Sequence, residues 1–499
     1  MSYGKAYFRQ SVITGITTGL IGLLFYVLRV ILYGRLSAED YGLFYALISA
    51  CMLLQPIFAL GFDPGIVPFV TRMREQRDFE GARTLGLNAL ACQTVLSAAL
   101  AIPAALFAQP IADHVFHAPQ AAALIRILAL FMVFLQPFKT VMSVLLGLQF
   151  IGLRNLTDLS RVISVVAITA LLLGSGFGVL AAAWAFALSA AIAAVLGAFG
   201  LLWLCPDLRE RVTFRWDTAL LFEVFNTGKH MAIAFGGITV FSYMDTVMLT
   251  LLGRDLRAVA AYQLAAPTLM LIYSLILAAV GNFMPMVTTL WHRGEKGLLA
   301  DGIGRIYEAA IATLLPAGVL MACFCDVIIR TLFRGDILNA PDAFNILAVG
   351  SIFFFICYLN VHILCGMGRA RAANATVVIG LAANLLLNLA LIPLLSVRGA
   401  AIATVVSYAA GAYFGSRSIR GALHFTSSLR AALASALVSL GVAAVAYGIR
   451  TTGLFALHPE STACVVGPVL FLAALGLQEW LGIARLRELI RVALLGAPQ

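Results

Sequence analysis

Charge is scarce in this chain. Of 499 residues, 11% are Asp, Glu, Lys or Arg and 62% are apolar, against about one-quarter charged and about half apolar in an ordinary soluble domain. That deficit excludes a water-soluble fold, which would leave much of its apolar surface wet. A nucleotide-binding loop is missing. Gly228-Lys229 is followed by His230 and lacks the upstream glycine of a P-loop, so nothing cradles phosphates for ATP hydrolysis. The eight cysteines contain no Cys-x-x-Cys, and Cys323 and Cys325 lie in an apolar run as packing residues. The seven histidines are scattered, and His362 has no second ligand three or four residues away. It reads as a hydrogen-bonding residue between helices. No metal or organic cofactor is therefore expected. No long polar segment offers a reaction site either: residues 109–120 supply only Asp113, His114 and His117, short of the convergent titratable groups an enzyme needs. The hydrophobicity is continuous, not alternating, which excludes a β-barrel.

What the chain has is long apolar runs. Fourteen stretches of about twenty residues can each cross roughly 30 Å of hydrocarbon as a helix: 11–33, 42–62, 84–108, 121–148, 158–175, 178–204, 230–251, 258–289, 301–328, 343–366, 373–395, 398–419, 431–449 and 461–482. The basic stretch Lys5 to Arg9 precedes an apolar run too long for a signal-peptide core, so that run is the first span. With the N-terminus inside, 23 of the 33 Lys and Arg fall in cytoplasmic segments or at the span ends next to them (Arg154 and Arg161 among them), 7 in outer segments, and Arg29, Arg126 and Lys139 within spans. That asymmetry places both termini in the cytoplasm. It also accounts for the net charge of +10 through an anionic leaflet, without nucleic acid as a partner.

The spans fall into a repeat. Gly34-Arg35 recurs as Gly253-Arg254 and Gly147 as Gly366, both 219 residues on; Tyr41 pairs with Tyr262, Pro64 with Pro285 and Gly178 with Gly399 at 221. Self-similarity at one period marks duplicated units. Six spans per copy return the chain to its starting side, so the copies insert the same way up, with the site expected between them near the midplane. The expected architecture is an all-α polytopic membrane protein with about 14 transmembrane helices, in two parallel six-helix bundles around a central cavity plus two accessory helices. Its parts are an N-lobe 1–204, a linker 205–229, a C-lobe 230–420 and an accessory pair with its tail 421–499.

Two bundles of six and two extra spans resemble the multidrug/oligosaccharidyl-lipid/polysaccharide (MOP) exporter superfamily. The local text resembles its polysaccharide flippase branch. Leu32-Tyr33-Gly34-Arg35-Leu36-Ser37-Ala38-Glu39-Asp40-Tyr41-Gly42 is similar to the family's first outer loop, and Leu60-Gly61-Phe62-Asp63-Pro64-Gly65 to the segment closing its second span. Asp245 to Leu249, continuing through Gly253 to Tyr262, is similar to the counterpart in the second half, with Ala260 where the family usually has Gly. The resemblance implies a non-enzymatic flippase of the bacterial inner (plasma) membrane. It would carry a polyprenyl-pyrophosphate-linked oligosaccharide outward for surface polysaccharide biosynthesis, with membrane lipids and polysaccharide polymerase machinery as partners. The alternatives are a Na⁺- or H⁺-coupled multidrug exporter and a lipid II flippase of the same superfamily. The coupling ion stays open.

Polar residues inside spans point to the site, because burying them in lipid is costly. Gly15, Gly19, Gly22, Tyr26, Arg29 and Tyr33 step by threes and fours along one face of span 1. Arg29 on that face is either a cavity cation for phosphate or a snorkelling residue, being about 6 Å from the outer end. Lys139 in span 4 shares its face with Gln136, Thr140 and Ser143 and reads as a cavity cation, with a structural ion pair or snorkelling to the cytoplasmic side as the alternatives. Asp245 in span 7 shares an arc with Thr239, Ser242 and Thr246; it pairs with a cavity cation, binds a coupling cation or forms a structural bridge. Lys229 opens span 7, facing headgroups or an entering phosphate. The candidate substrate-binding set is Arg29, Lys139, Lys229, Asp245 and Tyr26. Asp63, Asp158 and Arg126 read as span-end residues.

Overall fold

A computed structural model of the chain describes residues 2–209, 215–231, 236–281, 283–333, 338–423, 429–452, 455 and 457–483. Among the described residues the regular structure is helical, with no strand. Eleven of the helices are long and apolar enough to cross a membrane, as a backbone in lipid requires when every N–H and C=O must bond within its own segment. The chain forms two compact units, 1–260 and 261–499.

The first unit contains α1 (Ser2–Tyr33), α2 (Ala38–Ala59), α3 (Phe62–Glu75), α4 (Phe79–Leu106), α5 (Ala108–His114), α6 (Ala121–Gly147), α7 (Ile151–Gly174), α8 (Leu180–Leu204), α9 (Thr218–Met231) and α10 (Gly237–Met248), which continues as a π-helical turn over Leu249–Gly253. Local chemistry sets the ends. Ser37 caps α2 by accepting from the amide of Asp40 at 3.1 Å, with Glu39 and Asp40 in the first turn to favour its positive N-terminus. Asp78 caps α4 through the amide of Gly81 at 2.8 Å. Helix packing in lipid relies on small residues, since the tails are as apolar as leucine. Helix α8 supplies them: its buried face is Ala181, Ala182, Ala183, Ala185, Ala187, Ala190, Ala193 and Ala194, and it packs on α6 and α7.

Helix α11 (Leu256–Gly281) leads into the second unit. There lie α12 (Phe283–His292), α13 (Lys296–Cys323), α14 (Cys325–Leu332), α15 (Ala340–Gly366), α16 (Ala370–Arg420), α17 (Leu429–Arg450) and α18 (Pro459–Trp480). Helices α13 to α16 begin 217 to 219 residues after α4 to α7 and repeat their order, including the short helix after the first of them, in line with the period read in the sequence. The expected spans 373–395 and 398–419 are both in α16, which breaks at Ser396 (φ 49°, ψ −122°). The accessory pair α17 and α18 packs on α13. Arg450 of α17 fastens it by donating to the carbonyl of Cys323 and to Asp326 Oδ2 at 2.9 Å.

Two features of the first unit were not expected. The linker region 205–229 holds the helix α9, capped by Asp217 through the amide of Leu220 at 2.9 Å. In addition, α10, which falls in the span that opens the second repeat, packs on α2. The docking of α9 and the approach of α11 to α2 both use glycine. Gly61, in the left-handed region at φ 77°, and Gly228 of α9 touch backbone to backbone, so a Cβ on Gly61 would lie 2.9 Å from the Gly228 carbonyl carbon. At the other end of α2, Gly42 lies against the Leu256 carbonyl. Gly228→Val is expected to undock α9, because the obstacle is backbone and cannot rotate away. Overpacking of this kind costs about 1–3 kcal/mol or more. A lowered unfolding temperature and new protease cleavage within 205–217 would show it; wild-type values for both would mean that α9 tolerates the branch.

Candidate functional site

Within the first unit α1, α2, α3, α6, α7, α8 and α10 enclose a cavity of about 680 Å³. Helical spacing aims its polar groups inward. Tyr45, Ser49, Met52 and Gln55 line it from one face of α2, and Arg154, Asp158 and Arg161 from one face of α7. Asp63 enters at the start of α3, Lys139 and Ser143 from α6, Arg29 from α1 and Tyr243 from α10. The remaining wall is apolar and aromatic, with Phe25, Phe131, Phe138 and Phe186.

The four cations stand in different situations. The Arg29 guanidinium lies over the Tyr45 ring, 4.1 Å from its centroid. That cation–π contact is anchored by Tyr41, whose ring is 4.6 Å from Tyr45. Arg161 is neutralised by Asp158, with Nη2 and Nε at 3.0 and 3.2 Å from Oδ1. It also lies over the rings of Phe25 and Phe138, at 5.4 and 5.1 Å. The side chains of Lys139 and Arg154 have no hydrogen-bond or ion-pair partner among the described residues, and Arg154 Nε is buried without one. Ser49 Oγ is likewise buried and unpartnered. Asp63 is held by amides: Oδ1 accepts from Gln93 Nε2 at 3.0 Å and Oδ2 from Gln55 Nε2 at 3.3 Å. Gln93 Oε1 in turn accepts from Thr140 Oγ1. Four basic and two acidic residues line the space, so it carries two formal positive charges in excess. Cations left without partners in a low-dielectric setting are costly, and a dianion satisfies them through charge-assisted bonds.

Of the five residues singled out from sequence, Arg29 and Lys139 line this cavity and are brought together in it. Lys229 sits on α9 and donates to Asn226 Oδ1 at 2.8 Å. Asp245 is buried on α10 at 3% exposure, and Tyr26 is buried on α1; none of these three lines the cavity. The sequence reading left Asp63 and Asp158 as span-end residues and Arg154 and Arg161 as cytoplasmic cations, whereas all four line the cavity. For Arg154, Asp158 and Arg161 the signal was available, since spacings of four and three place them on one helical face.

Residues 8–291, more than half of the chain, match the family described as polysaccharide biosynthesis protein. The chain belongs to that family. The match agrees with the resemblance to the MOP superfamily drawn from the sequence. Among curated relatives, an uncharacterized membrane protein of Methanocaldococcus jannaschii is 26% identical over 397 residues, 77% of this chain and 78% of the relative. The lipid II flippase MurJ of Bacillus subtilis is 23% identical over 403 residues, 72% of each. Among solved structures, the lipid II flippase MurJ in an inward closed conformation superposes with a TM-score of 0.74 at 15% identity, covering 93% of this chain and 98% of that one. At that identity the likeness shows the fold alone, an all-α arrangement of long apolar helices.

Proposed function

We propose that this protein is a flippase that carries a polyprenyl-pyrophosphate-linked oligosaccharide from the cytoplasmic to the outer leaflet of the plasma membrane by alternating access, for surface polysaccharide biosynthesis. The observation that carries the reading is the cavity with two excess cations, in which Lys139 and Arg154 have no partner among the described residues. A pyrophosphate linker supplies the missing anion, and the aromatic wall offers faces to the sugar. The family's description, polysaccharide biosynthesis, supports the same substrate class. The B. subtilis relative favours a second reading, lipid II. An exporter of cationic drugs fits poorly, because such a compound would meet a net positive lining. The experiment is accumulation of cytoplasm-facing lipid-linked oligosaccharide in cells lacking the protein. Accumulation of lipid II instead would establish the second reading, and accumulation of neither would end both.

The orientation follows from the loop cations. Single cysteines at Ser37 and Ser461, in a background without native cysteines, are expected to react with an impermeant thiol reagent added outside intact cells. Cysteines at Ser2 and Gln499 are expected to react only after lysis. Labelling of either terminus in intact cells would reverse the proposed topology.

A further inference from the structure

Asp63 is out of place in a cavity built for an anion. Its charge opposes a phosphate, yet the fold takes trouble to hold it. Thr140 of α6 donates to Gln93 of α4, Gln93 donates to Asp63 Oδ1 at 3.0 Å, and Gln55 of α2 donates to Asp63 Oδ2 at 3.3 Å. Gln93 and Thr140 are buried, while Asp63 and Gln55 face the cavity. Four helices thus fix the orientation of one carboxylate that has no ion-pair partner among the described residues. An ionised carboxylate offers about four lone-pair sites, and two amides fill only two of them. Gln55 Oε1 adds an acceptor without a partner among the described residues. What remains open towards the cavity is the spare lone pairs of an acceptor-only carboxylate, with the Gln55 carbonyl oxygen beside it.

Such groups call for a donor. A second cation is disfavoured, because the lining already holds two more positive than negative charges. A neutral donor carries no such penalty. Sugar hydroxyls are neutral donors, and on the proposed substrate they are the groups beyond the phosphates. The two kinds of polar group divide the lining between them: Lys139, Arg154 and Ser49 bring donors, Asp63 and Gln55 bring acceptors.

Resting on the flippase reading above, we propose that Asp63 with Gln55 forms the sugar-hydroxyl subsite, and that Gln93 and Thr140 act on it as positioning residues. Specificity for the sugar next to the pyrophosphate then lies in this acceptor pair. A site built to bond a hydroxyl discriminates strongly against an analogue lacking it, because its buried polar groups are left unmet. Asp63→Asn keeps the shape but trades an acceptor for a donor and removes the charge.

The test uses the purified full-length protein in nanodiscs, titrated with farnesyl pyrophosphate and with a farnesyl-pyrophosphoryl hexose. Wild type should bind the hexose probe more tightly than farnesyl pyrophosphate. Asp63→Asn should abolish that advantage, a loss of about 10- to 150-fold for a bond to a charged group, while farnesyl pyrophosphate binds as well or better because a repelling charge is gone. Thr140→Val, which leaves the carboxylate in place but loosens Gln93, should lose part of the advantage, and Thr140→Ser should restore it. If Asp63→Asn weakens both probes equally, Asp63 is structural and the subsite is wrong. A wild type that binds both probes with equal affinity has no hexose site, and the inference falls while the flippase reading stands. If wild type binds neither, the flippase reading falls first. Sodium or acidic pH changing the affinity of wild type for farnesyl pyrophosphate, but not that of Asp63→Asn, would assign Asp63 to a coupling cation instead and overturn the subsite.

Discussion

Lys139→Glu and Arg154→Glu, each made alone, are expected to abolish translocation of the lipid-linked sugar while leaving the protein inserted and folded. Each of these side chains lacks a protein partner among the described residues, so its removal orphans nothing in the fold. A charge-assisted bond to phosphate is worth about 1.5–3 kcal/mol, or about 10- to 150-fold in affinity. Reversal does more than delete that bond. It brings the excess lining charge from two positive to zero and sets a carboxylate against the linker. Neutral substitutions, Lys139→Gln and Arg154→Gln, should therefore fall between wild type and the reversals. The measurement is cytoplasm-facing lipid-linked oligosaccharide in cells carrying each variant, with insertion checked separately. Full activity of both reversals would mean that the cavity cations do not meet the linker.

Arg29 should behave differently from that pair. Its guanidinium lies over Tyr45, and Tyr41 packs on Tyr45 in turn. Arg29→Lys keeps the charge but loses the flat, stacking fork, so partial transport is expected. Arg161 is different again, since its replacement strands Asp158 without its partner.

The sequence told apart what lies in lipid from what does not, because that distinction rests on hydropathy alone. It also carried the duplication, visible as matching glycines and recovered in the order of α4 to α7 and α13 to α16. The cavity was only half legible. Lys139 stood out because a cation in mid-span has few innocent explanations. Arg154 and Arg161 were read as cations at a span's inner end, and a positive-inside count cannot tell a headgroup cation from one turned into the protein. Asp63 looked like a helix-end residue because it sits at the end of the second apolar run. Only the packing of α2, α3, α4 and α6 shows Gln55 and Gln93, 8 residues before it and 30 after it, meeting on the same carboxylate. Helix α9 was hidden in a segment whose charges and polar residues read as linker. Its docking depends on Gly61 and Gly228 approaching across more than 160 positions, which no local pattern encodes.

A disulfide between cysteines placed at Ser37 and Asp255 is expected to stop transport completely and reversibly. The two positions flank the contact that joins the N-terminal end of α2 to the start of α11. There Glu39 Oε1 and Arg257 Nε are 3.3 Å apart, and Gly42 lies against the Leu256 carbonyl with no room for a side chain. The ion pair is exposed at both partners, so it contributes little by itself and can open at small cost. The glycine contact sets how closely the two elements approach. In the proposed cycle the first and second repeats separate here to release the substrate outward, so α2 and α11 must part. A covalent link of one disulfide's length forbids that opening, because it holds its two Cα atoms within about 7 Å. Loss of transport on oxidation and recovery on reduction would show that opening at this contact belongs to the cycle. Either single cysteine treated with the same oxidant should transport normally, which separates the link from simple thiol damage. Full-rate transport by a population shown to be crosslinked would mean that α2 and α11 stay together throughout, and that the substrate leaves by another route.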